Sequence, residues 1–306
     1  MTNSKVFPDW TGVYPAITTQ FKADLSLDID ATQKVVDGLI NDGIHGMIAM
    51  GTVGENNSLL PAEKRQVMTA IKEVTNGRVP VIAGVSEFDS GRGSEFARDA
   101  EKIGIDGLMV MPAMVYVPNN DELDEHFRTI AASTSLPIMI YNNPASYRIT
   151  IAIESLKRLA DVSNIVAFKE SAEDTRRFTD LFNVIGDDLI IFAGLDDMAF
   201  EGLTLGAAGW ISGLTNAFPK ESVAIYDLIK EKNYAKALEI YRWFMPLLHM
   251  DSQPNLVQCI KLSEHVMGRG SELVRPPRMI LSGEERARTI KIIEEAAANR
   301  PDLGTS

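Results

Sequence analysis

The chain has 306 residues, 45% of them hydrophobic, which suits a large buried core. Its formal net charge is −12 and no Lys/Arg-rich cluster interrupts it, so nucleic acid is excluded as an expected partner, while a small anionic substrate is not. The single cysteine, Cys259, excludes an internal disulfide and a cysteine-cluster metal site, and its helical flanks make it a core residue.

Eight short apolar or β-branched runs recur along the chain: Val13–Thr18, Gly46–Met50, Val79–Val85, Gly107–Met111, Pro137–Tyr141, Ile165–Lys169, Leu189–Gly194 and Trp210–Gly213. Their starts lie about 20 to 35 residues apart, the length of a βα unit. Several are almost continuously apolar, as strands buried on both faces should be. Helical stripes lie between them, such as Ile29, Val36, Leu39 and Ile40, and then Val67, Ile71 and Val74 after Pro61. Gly43, Gly104 and Gly206 follow helical patterns and precede strands, as C-terminal caps. Eight such repeats predict a (β/α)₈ barrel. A doubly wound sheet would want a Gly-rich phosphate turn after its first strand, but Thr19–Asp24 has none. Residues 1–220 are expected to form the barrel core. Residues 221–306 supply its last helix and a helical extension, with helices over Ser222–Glu231, Tyr234–Leu248, Leu256–Met267 and Glu284–Asn299, all as one structural unit. No run is long and apolar enough to span a bilayer, and Met1 to Trp10 lack the segments of a signal peptide, so a soluble cytoplasmic protein is expected, with no membrane partner.

In this architecture the active site forms at the carboxyl ends of the strands. Strand one ends at Thr18-Thr19, and strand two runs into Gly51-Thr52-Val53-Gly54-Glu55-Asn56. Strand four leads to Pro112 and Tyr116, and strand five ends at Tyr141 before Asn142-Asn143-Pro144. Strand six ends at Lys169, strand seven at Gly194-Leu195-Asp196-Asp197, and strand eight at Ser212-Gly213. Lys169 is the most informative of these. On local sequence alone it reads as a strand-end lysine paired with Glu170 or solvated. At a barrel mouth, burial would strip its proton and leave a nucleophilic amine. His45, His126, His249 and His265 are scattered, and no carboxylate cluster suits a hard cation, so no metal and no cofactor are expected. A lysine beside a tyrosine suits carbonyl chemistry. The amine would add to a 2-oxo acid or cyclic imine, and a tyrosine with a hydroxyl partner would move protons. Backbone N–H groups of the Gly51–Gly54 turn would hold the substrate carboxylate.

At these residues the chain resembles the dihydrodipicolinate synthase/N-acetylneuraminate lyase family. Gly51-Thr52-Val53-Gly54-Glu55 resembles its GTTGE turn, Tyr141-Asn142-Asn143-Pro144 its YN-x-P motif, and Phe168-Lys169-Glu170-Ser171 its Schiff-base segment. Gly206-Ala207-Ala208-Gly209-Trp210-Ile211-Ser212 resembles its GAxGxIS strand. The resemblance runs from about Val13 to Pro277 and implies a (β/α)₈ barrel with a C-terminal helical extension, assembled as a homotetramer. It implies Lys169 as the Schiff-base residue, Tyr141 as acid/base and Thr52 in its hydroxyl relay. Tyr116 would match a tyrosine lent across a dimer interface. Substrate contacts fall on Val53, Gly54, Asn143, Gly194 and Ser212. Two departures bear on substrate: Val53 replaces the second threonine of GTTGE, and Ser146 stands where the synthase carries an arginine, the nearest here being Arg148. Further segments, among them Pro15–Phe21 and Trp243–Leu248, resemble the Δ1-pyrroline-4-hydroxy-2-carboxylate deaminase group. The expected reaction is release of ammonia and 2-oxoglutarate semialdehyde. The alternatives are a 2-keto-3-deoxy sugar acid dehydratase or aldolase, a dihydrodipicolinate synthase-like enzyme, and, in another class, a non-catalytic binding barrel.

Overall fold

A computed structural model describes residues 5–304 except Met114. Eight parallel strands form the core: β1 Gly12–Pro15, β2 Met47–Ala49, β3 Val81–Val85, β4 Gly107–Val110, β5 Ile138–Asn142, β6 Ile165–Glu170, β7 Ile190–Ala193 and β8 Gly209–Ser212. Neighbours pair in the order β1-β8-β7-β6-β5-β4-β3-β2. The remaining seam closes through the bridge Ala16↔Ile48 and the hydrogen bond from Ile17 N to Ile48 O at 3.0 Å. The result is the (β/α)₈ barrel that the repeats predict.

Helices alternate with the strands: α1 Ile29–Asn41, α2 Pro61–Thr75, α3 Ser90–Ile103, α4 Asn120–Ala131, the short α5 Pro144–Tyr147, α6 Ile153–Leu159, α7 Arg176–Ile185, α8 Ala199–Thr204 and α9 Pro219–Lys230. Three more follow: α10 Tyr234–Leu248, α11 Leu256–Val266 and α12 Gly283–Ala298. Local chemistry sets their ends. The Asp28 carboxylate accepts the Ala31 N–H at 3.0 Å and starts α1, and Pro61 opens α2, where its missing N–H costs nothing. Gly104 ends α3 at φ +87, a conformation that a side chain would strain.

The strands are apolar on both faces because inward side chains fill the barrel and outward ones meet the helices. Ile240, Phe244, Ile260 and Ile293 join that same apolar cluster, so the C-terminal helices pack directly on the barrel, and Cys259 is buried among them. The first strand is shorter than expected. Past it, the Thr18 and Thr19 hydroxyls donate to the Glu264 carboxyl at 2.8 Å and to Gly54 O at 2.7 Å. Among the described residues no helix is long and apolar enough to cross a membrane.

Candidate active site

A cavity of about 470 Å³ opens at the carboxyl ends of the strands. Lys169 stands at its base. The barrel register sets Lys169 between Tyr141 on β5 and Phe192 on β7. Its ammonium lies 3.9 Å from the Tyr141 ring centroid, and the residue is 6% exposed. Strand alternation sends Glu170 the other way. Its carboxylate takes hydrogen bonds from Arg177 Nε at 2.8 Å, Asn142 Nδ2 at 2.7 Å and Ala172 N at 2.8 Å. The local reading of a Lys169–Glu170 pair is therefore overturned: Glu170 belongs to Arg177. Burial pulls the Lys169 amine down to about 8, against the opposing pull of Asp251 and Asp196. Gly194 makes room for it, since a Cβ there would come within 2.7 Å of Lys169 Cε and 2.0 Å of Ser171 Oγ.

Tyr141 is buried, and burial raises its phenol to about 12, while the Asn143 amide and the Ser171 hydroxyl pull the other way. Asn143 has two tasks. Its Nδ2 donates to the Tyr141 hydroxyl at 2.9 Å, and its Oδ1 accepts the Ser146 N–H at 3.0 Å, starting α5. That single helical turn brings Tyr147 back over Tyr141, with the rings edge to face at 5.5 Å and 88°. The Tyr147 hydroxyl is 2.8 Å from Thr52 Oγ1. Thr52, Tyr147 and Tyr141 thus form a hydroxyl-bearing wall beside the lysine.

Thr52 rides on a strained turn. Met50 and Glu55 flank Gly51–Gly54 with φ of 56° and 57°, a left-handed conformation that non-glycine residues seldom adopt. Two devices hold it. Asn56 Nδ2 donates to Met50 O and Gly84 O, each at 2.9 Å, and the Glu55 carboxylate accepts from Lys261 Nζ and the Arg275 N–H, each at 2.9 Å.

The cavity is lined by Lys169, Tyr141, Thr52, Val53, Asn143 and Gly194, so six of the nine candidates converge. Gly54, Ser212 and Tyr116 do not line it. Gly54 is closed in by backbone, where a Cβ would lie 3.0 Å from Ile17 O past the first strand and 3.4 Å from Gly51 N in its own turn. Ser212 is fully buried and its Oγ accepts the Thr215 N–H at 3.0 Å. Tyr116 lies in the exposed run Val115-Tyr116-Val117, outside the cavity of its own chain. Sequence reasoning missed Tyr147 and Asp251. The signal for Tyr147 was its place six residues past Tyr141, beyond a proline that starts one helical turn. Asp251 had none, because it comes from the turn between α10 and α11 rather than from a strand end. Arg148 is exposed at φ 57° and lies off the cavity, which Ser146 and Arg278 reach instead.

Asp196 and Asp251 complete the charge pattern. Burial raises both carboxyls above the usual range, Asp196 the more strongly because the Asp251 charge adds to it, while Lys169 and the Asp196 backbone pull Asp251 back down. Asp196 is held inside the protein by Trp210 Nε1 at 2.9 Å and the Leu214 N–H at 2.8 Å. No group of three or more His, Cys, Asp or Glu among the described residues could hold a metal. His126 is a packing residue between Ser90 Oγ at 2.9 Å and Met111 O at 3.1 Å.

Comparison with known proteins decides the family. The sequence profile described as "Dihydrodipicolinate synthetase family" matches residues 9–296. The chain belongs to the dihydrodipicolinate synthetase family. It is 34% identical to the 4-hydroxy-tetrahydrodipicolinate synthase of Desulforamulus reducens, over 78% of this chain and 81% of that one. It is 32% identical to the synthase of Methanocaldococcus jannaschii, over 96% and 98%. Among solved structures, dihydrodipicolinate synthase from Aquifex aeolicus superposes with a TM-score of 0.90 at 25% identity, covering 94% of this chain and 98% of that one. A prophage protein of the family from E. coli K12, solved in complex with pyruvate, superposes with a TM-score of 0.89 at 28% identity, over 95% and 99%. Members of this family are class I Schiff-base lyases, and the chain is an enzyme of that family.

Proposed function

We propose that the enzyme uses Lys169 to form a Schiff base with a 2-oxo acid or cyclic imine, and that its substrate is Δ1-pyrroline-4-hydroxy-2-carboxylate. One observation carries the chemistry: Lys169 is a buried amine, parted from its neighbouring carboxylate and laid over Tyr141 inside a cavity. A buried cation without a close counterion favours its neutral, nucleophilic form. Lys169 adds to C2 of the imine and the ring opens. A proton leaves C3 and the 4-hydroxyl departs as water, with Tyr141 and the Thr52–Tyr147 pair moving protons. Proton transfer from C5 to C3 then turns the C5 amine into an imine, one water hydrolyses that imine to the aldehyde and ammonia, and a second water hydrolyses the Schiff base to free 2-oxoglutarate semialdehyde. Over the cycle one water is released and two are consumed, so one is taken up per ammonia released.

The choice of substrate is supported by what the cavity lacks. Ser146 occupies the position of the synthase arginine, Arg148 lies outside, and Val53 removes one hydroxyl from the turn. The cavity keeps one guanidinium, Arg278, but it comes from the C-terminal segment and not from the position that the synthase arginine holds, which favours a different substrate. The names of the relatives favour a second reading, 4-hydroxy-tetrahydrodipicolinate synthase. Sugar-acid dehydration would use the same lysine and tyrosine. The family likeness also supports a homotetramer, which sedimentation would test, and in it Tyr116 would serve a neighbouring site.

The deciding experiment supplies freshly generated Δ1-pyrroline-4-hydroxy-2-carboxylate to the wild type and to Lys169→Ala. Ammonia and 2-oxoglutarate semialdehyde from the wild type alone support the deaminase. No product, alongside formation of 4-hydroxy-tetrahydrodipicolinate in a synthase assay, would replace it with the second reading.

A further inference from the structure

Asp251 is an acid in the cavity that the chemistry above leaves unused. It comes from the turn after α10, where its N–H bonds Leu248 O at 3.0 Å. The C-terminal extension thereby adds Asp251, with Ser252, Gln253 and Arg278, to a mouth whose base is built from strand ends. Gly213 after β8 permits the approach, because a Cβ there would sit 2.5 Å from Asp251 Oδ1. Asp196 is the opposite case: it is fully buried and committed to Trp210 and Leu214. Asp251 keeps partial exposure toward the cavity, and among the described residues it has no cation within 4.0 Å. Its carboxylate is held by the Asp196 backbone and by the more distant charge of Lys169, and a carboxylate has acceptor sites left over for a bound hydrogen-bond donor in the cavity.

We propose that Asp251 is a substrate-contacting, specificity-determining residue: its carboxylate accepts a hydroxyl carried beyond the carbon joined to Lys169, and repels a second carboxylate placed there. The inference rests on the Schiff-base reading of Lys169 and deepens it. It selects hydroxylated monocarboxylates over dicarboxylates, without choosing between a cyclic imine and a sugar acid. Attraction for one ligand and repulsion of another are separate contributions, so each is tested by its own variant.

The test is borohydride trapping of the Lys169 adduct against concentration of three 2-oxo acids: 2-oxopentanoate, 4-hydroxy-2-oxopentanoate and 2-oxoglutarate. Asp251 also acts on the charge of Lys169, but that influence is common to all three and cancels in their ratios. In the wild type the hydroxylated acid should trap at about tenfold lower concentration than 2-oxopentanoate. Asp251→Ala should erase that preference. Asp251→Asn, of the same shape but neutral, should improve 2-oxoglutarate relative to 2-oxopentanoate by about tenfold. Circular dichroism establishes that each variant folds, and either ratio alone decides if only one does. Trapping of all three acids with both ratios unchanged would overturn the role of Asp251 and leave the Schiff base standing. No trapping of any acid by the wild type would overturn both.

Discussion

Lys169 and Lys261 are both buried lysines, and the protein treats them in opposite ways. Lys261 lies on α11 with no exposed side-chain surface. It donates to Glu55 at 2.9 Å and to Thr19 O at 2.8 Å, and it stands 4.4 Å from the Phe21 ring centroid. Lys169 lies at the end of β6 with only the Tyr141 ring close to its ammonium, and no carboxylate within 4.0 Å among the described residues. Burial pulls both amines below the usual lysine range, and what differs is the counterweight. For Lys261 a touching carboxylate holds the proton. For Lys169 the opposing charges, Asp251 and Asp196, stand farther off. Burial alone therefore does not mark a reactive lysine; burial without a contact partner, beside a cavity, does. The two are also linked, since the pair Lys261–Glu55 anchors the strained turn that presents Thr52 to the site of Lys169.

The contrast breaks if the two lysines respond alike to removal. Lys169→Ala should lower turnover by about 10³-fold or more while the melting temperature stays level or rises, because a costly buried charge is lost. Activity assays and thermal denaturation on one preparation check both halves. Lys261→Met should do the reverse, destabilising the fold by about 3–5 kcal/mol because Glu55 is left buried without its partner. Denaturant titration measures the loss, and Lys261→Met/Glu55→Gln should recover part of it. A Lys261→Met protein of wild-type stability would show that the pair is not structural.

The pH dependence sharpens the comparison. Only the neutral amine adds to a carbonyl, and Lys169 loses its proton near about 8 rather than in the ordinary lysine range. The rate of borohydride trapping at fixed 2-oxo acid should therefore rise about tenfold per pH unit below that value and level off above it. A rise continuing past pH 10 would mean that Lys169 is an ordinary lysine.

Smaller effects belong to the hydroxyls. Tyr141→Phe should slow the proton steps by about 10² while leaving trapping in place. Tyr147→Phe, which breaks the contact with Thr52, should cost about tenfold. Tyr116→Phe should cost about threefold through the neighbouring site it would serve, less than Tyr147→Phe because Thr52 already has a hydroxyl partner within its own chain. Turnover assays of the three variants under one set of conditions give the ranking, and a Tyr116 effect larger than that of Tyr147 would move the relay to a neighbouring subunit.

Much of the site was legible because a parallel barrel imposes a rule: strand ends converge. Once the eight runs are recognised, Lys169, Tyr141, Thr52 and Gly194 fall at one rim without any knowledge of contacts. The rule fails where a residue's neighbours decide its task. Ser212 sits at a strand end yet is taken up by the Thr215 N–H. Gly54 belongs to the turn but faces backbone, and Tyr147 reaches the site only because Asn143 and Pro144 wind one helical turn. Asp251 lies in the turn before α11 and Lys261 on that helix, places where a charged residue ordinarily reads as solvated.

Periodicity and motif spacing in the sequence determined the barrel and the helices around it and pointed to Lys169 as the candidate nucleophile, because those depend on patterns local to each βα unit. Tertiary structure alone decided which charges meet. It gave Glu170 to Arg177 and Glu55 to Lys261, it left Lys169 without a contact partner, and it brought Asp251 in from the far end of the chain. Pairing between groups up to some two hundred residues apart depends on distances that only the closed barrel sets, and in its low-dielectric interior those distances govern which amine keeps its proton.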